Sequence, residues 1–325
     1  MLADILIKKE PQSMRRKINM KIVVLDGYTL NPGDLSWEGL EELGEVIVYD
    51  RTSYNPNDIE LIIERSKDAD AILINKTPIP KEVLDNLPNL KYIGLLATGY
   101  NVVDVDVARE RDVTVTNVPT YGTEAVTQMV FALLLELTNN VGEHNKAVKE
   151  GQWSENPDWC FWTKPLMELS GKTIGIIGYG RIGQRVGQVA QAFGMKVLAN
   201  ANRPRRELEN ENLKYVELDE LFRESDIISL HTPLTEDTQG IINRDCIAKM
   251  KDGVIIINTA RGPLVVEEDL ADALASGKVK GAGIDVVNIE PMEPDNPLLK
   301  EDNCIITPHI SWAPIEARRR LMDLA

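Results

Sequence analysis

The 325-residue sequence holds only three cysteines, Cys160, Cys246 and Cys304, and only three histidines, His144, His231 and His309. Cysteines so few and so scattered make neither a disulfide framework nor a zinc centre; they read as reduced, structural thiols, and no metal site is expected. No apolar run approaches the ~20 residues a membrane-spanning helix needs, and no apolar signal core precedes a small-residue cleavage site, so a cytoplasmic protein is expected. Basic residues are in deficit, 36 against 51 acidic, for a formal net charge of −15. A field of that sign repels phosphate backbones and anionic lipid, which removes nucleic acid and membrane surfaces from the expected partners. Short repeats and low-complexity tracts are absent too. With 43% hydrophobic and 27% charged residues, the composition is that of a globular chain with real cores.

What is present is a rhythm. At this length two domains are expected. Residues 1–19 mix a short apolar start with a basic MRRK run and read as a disordered extension, with Met20 an equally good natural start. From there β-branched runs (KIVVL, EVIVY, AILIN, KYIGLL, VTV) alternate with helical stretches such as DIELIIERSK and DVDVARER, which implies parallel βαβ units. A long apolar helix is expected from Thr123 to Lys149, with more hydrophobic surface than one domain covers. After it a second alternation runs from TIGIIG through KVLAN, DIISL and GVIIIN to VKGAGIDV.

The strongest local signal is Gly178, Gly180 and Gly183 in TIGIIGYGRIGQ. The pattern follows an apolar strand and opens a helix. Unpaired N–H groups and the positive end of the helix dipole then face a pyrophosphate, and the glycines allow its close approach. Such sites usually carry an acid ~20 positions on, at the end of the second strand, to hold the adenosine ribose. Here KVLAN runs instead into Ala201, Asn202, Arg203, Pro204, Arg205 and Arg206. Two readings fit: a guanidinium, Arg203 first, holding the 2′-phosphate of NADP, or Asn202 bonding the ribose of NAD beside a solvated basic loop. The missing acid favours NADP. His144 lies in polar VGEHNK and reads as a surface residue. His231 in SLHTPLT and His309 in TPHISW both follow apolar strands, where ligand crevices of α/β sheets lie, and either could exchange a proton.

Taken in order, the glycine motif, HTPLT, NTARGPLV, GIDVVNIEP and TPHISW make the chain from Met20 onward resemble the D-isomer-specific 2-hydroxyacid dehydrogenases. The resemblance implies two doubly wound parallel-sheet α/β domains with a cleft between them. One is a flavodoxin-like substrate domain (20–118 plus 306–325), the other a Rossmann dinucleotide-binding domain (119–305). It implies Arg261 pairing with the carboxylate and keto oxygen of a 2-keto acid, His309 as the acid–base group and Glu290 as its carboxylate partner, with Asp285 near the nicotinamide end of the cofactor. A carboxylate beside the ring favours imidazolium, the form that donates a proton during reduction. Arg181, Ile182, His231, Thr232, Pro233, Thr259 and Ala260 join the glycines as cofactor contacts. Ala97, Thr98, Gly99 and Tyr100 offer backbone donors to the substrate carboxylate, with Lys76 and Trp312 as further pocket residues. The expected reaction is reversible hydride transfer between NAD(P)H and a short 2-keto acid, hydroxypyruvate or glyoxylate, in a homodimer. Alternatives are another 2-hydroxyacid, formate, or a dinucleotide sensor without turnover. Family members commonly continue past the position where this chain stops at Ala325, so a truncated C-terminus is an expectation as well.

Overall fold

The computed structural model describes residues 20–55 and 57–325, so the extension expected at residues 1–19 lies outside the described residues. The chain divides into two compact units, Met1–Tyr121 with Ile315–Ala325, and Gly122–Pro314. The expected limits, after residues 118 and 305, lie three and nine residues before these divisions. Residues 306–314 stay with the second unit because Asp285 holds them: its carboxylate accepts the Thr307 hydroxyl at 2.5 Å and the N–H groups of Ile310 and Ser311 at 2.9 Å.

The first unit is built on β1 (Met20–Val24), β2 (Gly44–Val48), β3 (Ala71–Ile74), β4 (Tyr92–Leu95) and β5 (Thr114–Thr116). They form a parallel sheet in the order β2-β1-β3-β4-β5. β3 is buried along its whole length, as a strand covered on both faces must be, and this explains its unalternating AILI. The order reverses at β1, so a crevice outside the strand ends is expected there, between β1 and β3. The closing helix Ile315–Leu324 buries Ala317, Arg318 and Leu321. The Arg318 guanidinium holds Asp34 through two bonds of 2.7 and 2.6 Å, which keeps that carboxyl below the usual carboxylate range.

The second unit carries β6 (Thr173–Ile177), β7 (Lys196–Asn200), β8 (Leu213–Tyr215), β9 (Ile227–Leu230), β10 (Val254–Asn258), β11 (Val279–Ile284) and β12 (Cys304–Ile306). The sheet is parallel, in the order β12-β11-β10-β9-β6-β7-β8, and it reverses between β6 and β9. One core cluster gathers Ile228, Ile256, Leu270 and Leu274; a second gathers Val130, Leu134, Ile174 and Val186.

The helix expected over Thr123–Lys149 is two helices, Thr123–Asn139 and Val141–Lys149. Asn140 breaks it by adopting a left-handed conformation (φ 49°), which asparagine tolerates better than most residues, with its N–H on Glu136 O at 2.7 Å. The first helix also has less unpartnered apolar surface than expected. Val130, Phe131, Leu133 and Leu134 are buried in its own unit, and its outward positions carry Glu124, Gln128, Ala132 and Asn139. Exposed aromatic surface lies farther on, at Trp153, Trp159 and Trp162, which are 51%, 87% and 63% exposed.

Candidate active site

In the second unit the candidate site residues collect where strands end. Gly178 follows β6 with φ +93°, a conformation L side chains rarely adopt, and a Cβ there would lie 2.5 Å from His231 C and Thr232 N. The loop His231–Pro233 after β9 thus packs directly on the glycine turn. Both Gly178 N and Tyr179 N donate to Asn200 O at 3.0 Å, which fixes the turn against the end of β7. Gly183 lies on the helix Arg181–Ala192, and a Cβ on it would approach Gly178 O to 2.3 Å, so helix and strand are as close as glycine permits. At Gly180 the case is opposite: nothing stands within 4 Å of where a Cβ would be. No side chain caps this helix. A tight turn, an open face and an uncapped N-terminus fit a dinucleotide pyrophosphate. Thr259, buried after β10, adds a hydroxyl with no hydrogen-bond partner among the described residues, unusual for a buried polar group and available to a bound molecule. Ala260, beside it, is fixed by its N–H on Asn258 Oδ1 at 3.0 Å.

At the far end of β7, Arg205 pairs with Glu207 at 3.0 Å and Arg206 with Glu209 at 3.1 Å. Asn202 and Arg203 are exposed, and among the described residues Arg203 has no acidic partner.

Arg261, Glu290 and His309 follow β10, β11 and β12, which are successive neighbours in the sheet, with strands ~4.8 Å apart. Arg261 O accepts Asn258 Nδ2 at 2.9 Å, and its own Nη1 donates to Ala260 O at 2.6 Å. No carboxylate pairs with the guanidinium among the described residues, which argues against a purely structural ion-pair role. Gly262 brings this turn against the next loop: a Cβ there would overlap Val287 C and O at 2.0 Å. Buried Glu267 then ties that loop down, accepting Asn288 N at 2.8 Å and Asn296 Nδ2 at 3.0 Å.

His309 Nδ1 lies 2.7 Å from Glu290 Oε2. An ionised carboxylate can only accept, so the ring proton of that bond sits on Nδ1, and Nε2 is the nitrogen left to exchange a proton. The backbone of His309 is left-handed (φ 55°), a conformation that costs about 1–3 kcal/mol and persists only where neighbours impose it. Here the neighbour is Asp285, buried to 1% exposure. Its O accepts His309 N at 2.8 Å, and its carboxylate takes the three donors that tether residues 307–311. Trp312 is half-buried just beyond.

Of the two strand-end histidines, His309 alone has a carboxylate on its ring among the described residues; His231 has a serine instead. Its Nε2 bonds Ser229 Oγ at 2.8 Å, and burial pushes its pKa down to about 3, so it is neutral near pH 7. The cysteines are unpaired thiols; burial pushes Cys304 up to about 12 and raises Cys246 as well, which leaves neither a thiolate.

In the first unit the candidates sit after β3 and β4. Lys76 is exposed while its neighbours Asn75 and Thr77 are buried. The loop from Ala97 is held by its carbonyls and a hydroxyl: Val118 N donates to Ala97 O at 3.0 Å, Asn117 Nδ2 to Thr98 O at 2.6 Å, and Thr98 Oγ1 to Val118 O at 3.0 Å. The N–H groups of Thr98, Gly99 and Tyr100 have no acceptor among the described residues, and Tyr100 is 55% exposed. Asp26, Asn258 and Glu267 escaped sequence reading. Each is a single polar residue at an element end, distinguishable only by what folds against it.

Residues 131–311 match the profile of the NAD-binding domain of D-isomer specific 2-hydroxyacid dehydrogenases. The chain is 63% identical over 306 residues to a hydroxypyruvate reductase of Blautia hydrogenotrophica, covering 94% of each protein. It is 39% identical to a glyoxylate reductase of Thermofilum pendens, over 88% of this chain and 84% of that one. Among solved structures, an acyclic imino acid reductase in complex with NADPH and D-Arg superposes with a TM-score of 0.79 at 32% identity, covering 94% of both chains. A D-lactate dehydrogenase of Aquifex aeolicus with NAD and lactic acid gives 0.78 at 32%, over 94% of this chain and 92% of that one.

Proposed function

The chain belongs to the family of D-isomer specific 2-hydroxyacid dehydrogenases, and from that premise we propose that it reduces hydroxypyruvate, and glyoxylate less efficiently, with NADPH as the preferred reductant. The observation that carries this reading is the His309–Glu290 pair at 2.7 Å, two strand ends from an arginine with no carboxylate partner among the described residues.

A bound nicotinamide supplies the hydride. The Arg261 fork binds the substrate's carboxylate and keto oxygen with charge-assisted bonds, which fixes the plane of the 2-keto acid. As the C2 carbonyl is reduced, negative charge grows on its oxygen, and His309 Nε2 delivers the proton that quenches it, a contribution typically worth ~10²- to 10⁴-fold. Glu290 keeps the ring oriented through its bond to Nδ1; in oxidation, His309 Nε2 takes the alcohol proton. Asp285 holds the His309 loop near the nicotinamide end of the cofactor. In the first unit, the N–H groups of Thr98, Gly99 and Tyr100 with the Lys76 ammonium are suited to a substrate carboxylate; in the second, Trp312 offers an apolar face beside His309.

Gly178, Gly180, Arg181, Ile182 and Gly183 hold the pyrophosphate, flanked by His231, Thr232, Pro233, Thr259 and Ala260. Arg203 binds the 2′-phosphate beside Asn202; its lack of an acidic partner among the described residues, unlike Arg205 and Arg206, supports the NADPH preference. The enzyme works as a homodimer in the cytoplasm. Exposed Trp153, Trp159 and Trp162 support a subunit interface, and the unpaired thiols suit a reducing compartment.

Initial rates of NADPH and NADH oxidation with hydroxypyruvate, glyoxylate and pyruvate test the proposal. Turnover fastest with hydroxypyruvate and NADPH is expected. Faster turnover with NADH removes the Arg203 assignment, and cofactor binding without turnover of any keto acid removes the catalytic one.

A further inference from the structure

Asp26, directly beyond β1, has no exposed surface. No lysine, arginine or histidine pairs with it among the described residues. Instead its carboxylate accepts three consecutive backbone N–H groups of the loop after β3: Asn75 at 2.7 Å on Oδ1, and Lys76 and Thr77 at 2.6 and 2.8 Å on Oδ2. Burying a carboxylate without a cation is unfavourable, and this one bonds the backbone N–H of a lysine proposed to meet an anionic substrate. Its charge therefore works against substrate binding, and a geometric role has to outweigh it.

That geometry extends beyond the loop. Asn75 Nδ2 donates to Leu96 O at 2.9 Å, and Leu96 N to Ile74 O at 2.7 Å, so the ends of β3 and β4 are joined just before the donors at Thr98–Tyr100. The same carbonyl ladder continues to Asn117 and Val118 beyond β5. One buried carboxylate thus sets, through a single side-chain amide, the two loops that hold Lys76 and the free N–H groups.

We propose that Asp26 is a positioning residue for substrate binding: it fixes the direction of Lys76 and the height of the Thr98–Tyr100 donors without touching substrate. This rests on the proposed keto-acid reduction. Asp26→Asn keeps one acceptor oxygen but points an amide N–H₂ at the donors of Lys76 and Thr77. A misplacement of about 1 Å can cost on the order of 10²-fold. The variant should raise KM for hydroxypyruvate roughly 10- to 100-fold and the inhibition constant of oxamate, a non-reacting analogue, in the same ratio. It should leave kcat within about threefold and the NADPH Kd, set by the second unit, within about twofold. Asn75→Ala, which cuts only the link to Leu96, should raise both constants less, by roughly threefold to tenfold, and covers the case in which Asp26→Asn does not fold. Unchanged KM and oxamate inhibition in a folded variant overturn the proposal, as does a kcat that falls with the folded fraction at constant KM. Failure of the underlying reading shows separately, as wild-type protein that turns over no 2-keto acid.

Discussion

The two units solve the same local problem with the same residue and put it to different uses. In the first, Asp26 beyond β1 collects three donors from the loop beyond its neighbour β3; in the second, Asp285 beyond β11 collects three from the loop beyond its neighbour β12. Both carboxylates are buried. The loop held by Asp26 offers a lysine and lies beside backbone donors without acceptors among the described residues, groups of a kind that can bind an anion. The loop held by Asp285 carries His309 in a left-handed conformation with Glu290 on its Nδ1. A buried aspartate at a strand end is thus a general clamp. The two clamped loops differ in what they carry: a lysine in one unit, a carboxylate-paired histidine in the other.

Three changes would break or sharpen that division. Arg261→Ala removes a fork with two charge-assisted bonds, so kcat/KM for hydroxypyruvate should fall roughly 10²- to 10⁴-fold while NADPH binding, followed by fluorescence, persists. Asp285→Asn, the counterpart of the Asp26 change, loosens the His309 loop. It should lower kcat by about 10- to 100-fold with little change in KM, the reverse of the split expected for Asp26→Asn. Equal KM effects from the two aspartates would erase the distinction between the units. Arg203→Ala should raise KM for NADPH roughly tenfold or more and leave KM for NADH unchanged, because only a 2′-phosphate loses its partner. Equal effects on both cofactors would move Arg203 out of the phosphate site.

Much of this organisation was legible in the sequence because its causes are local. Unalternating runs such as AILI and VIIIN announce strands covered on both faces, and three glycines running from a strand end into the first turn of a helix announce the dinucleotide turn. The bend at Asn140 was not legible, since one asparagine in a helical pattern does not show which backbone region it will choose. The domain limit at Pro314 was missed for a different reason. Residues 307–314 follow the last strand and look like the start of the closing segment, and bonds to Asp285 tie them to the sheet they leave. The clamps themselves are long-range: Asp26 meets residues about fifty positions away, which no spacing rule reaches. His231 and His309 looked alike as strand-end histidines, and burial and partner choice separated them.

The most direct test of the central claim, that proton transfer belongs to His309 of the second unit, is a single-turnover measurement of NADPH oxidation by His309→Asn with saturating hydroxypyruvate. We expect cofactor and oxamate to bind as in the parent and the rate of NADPH oxidation to fall about 10²- to 10⁴-fold. A His309→Asn protein that oxidises NADPH at the parental rate near pH 7 would contradict it.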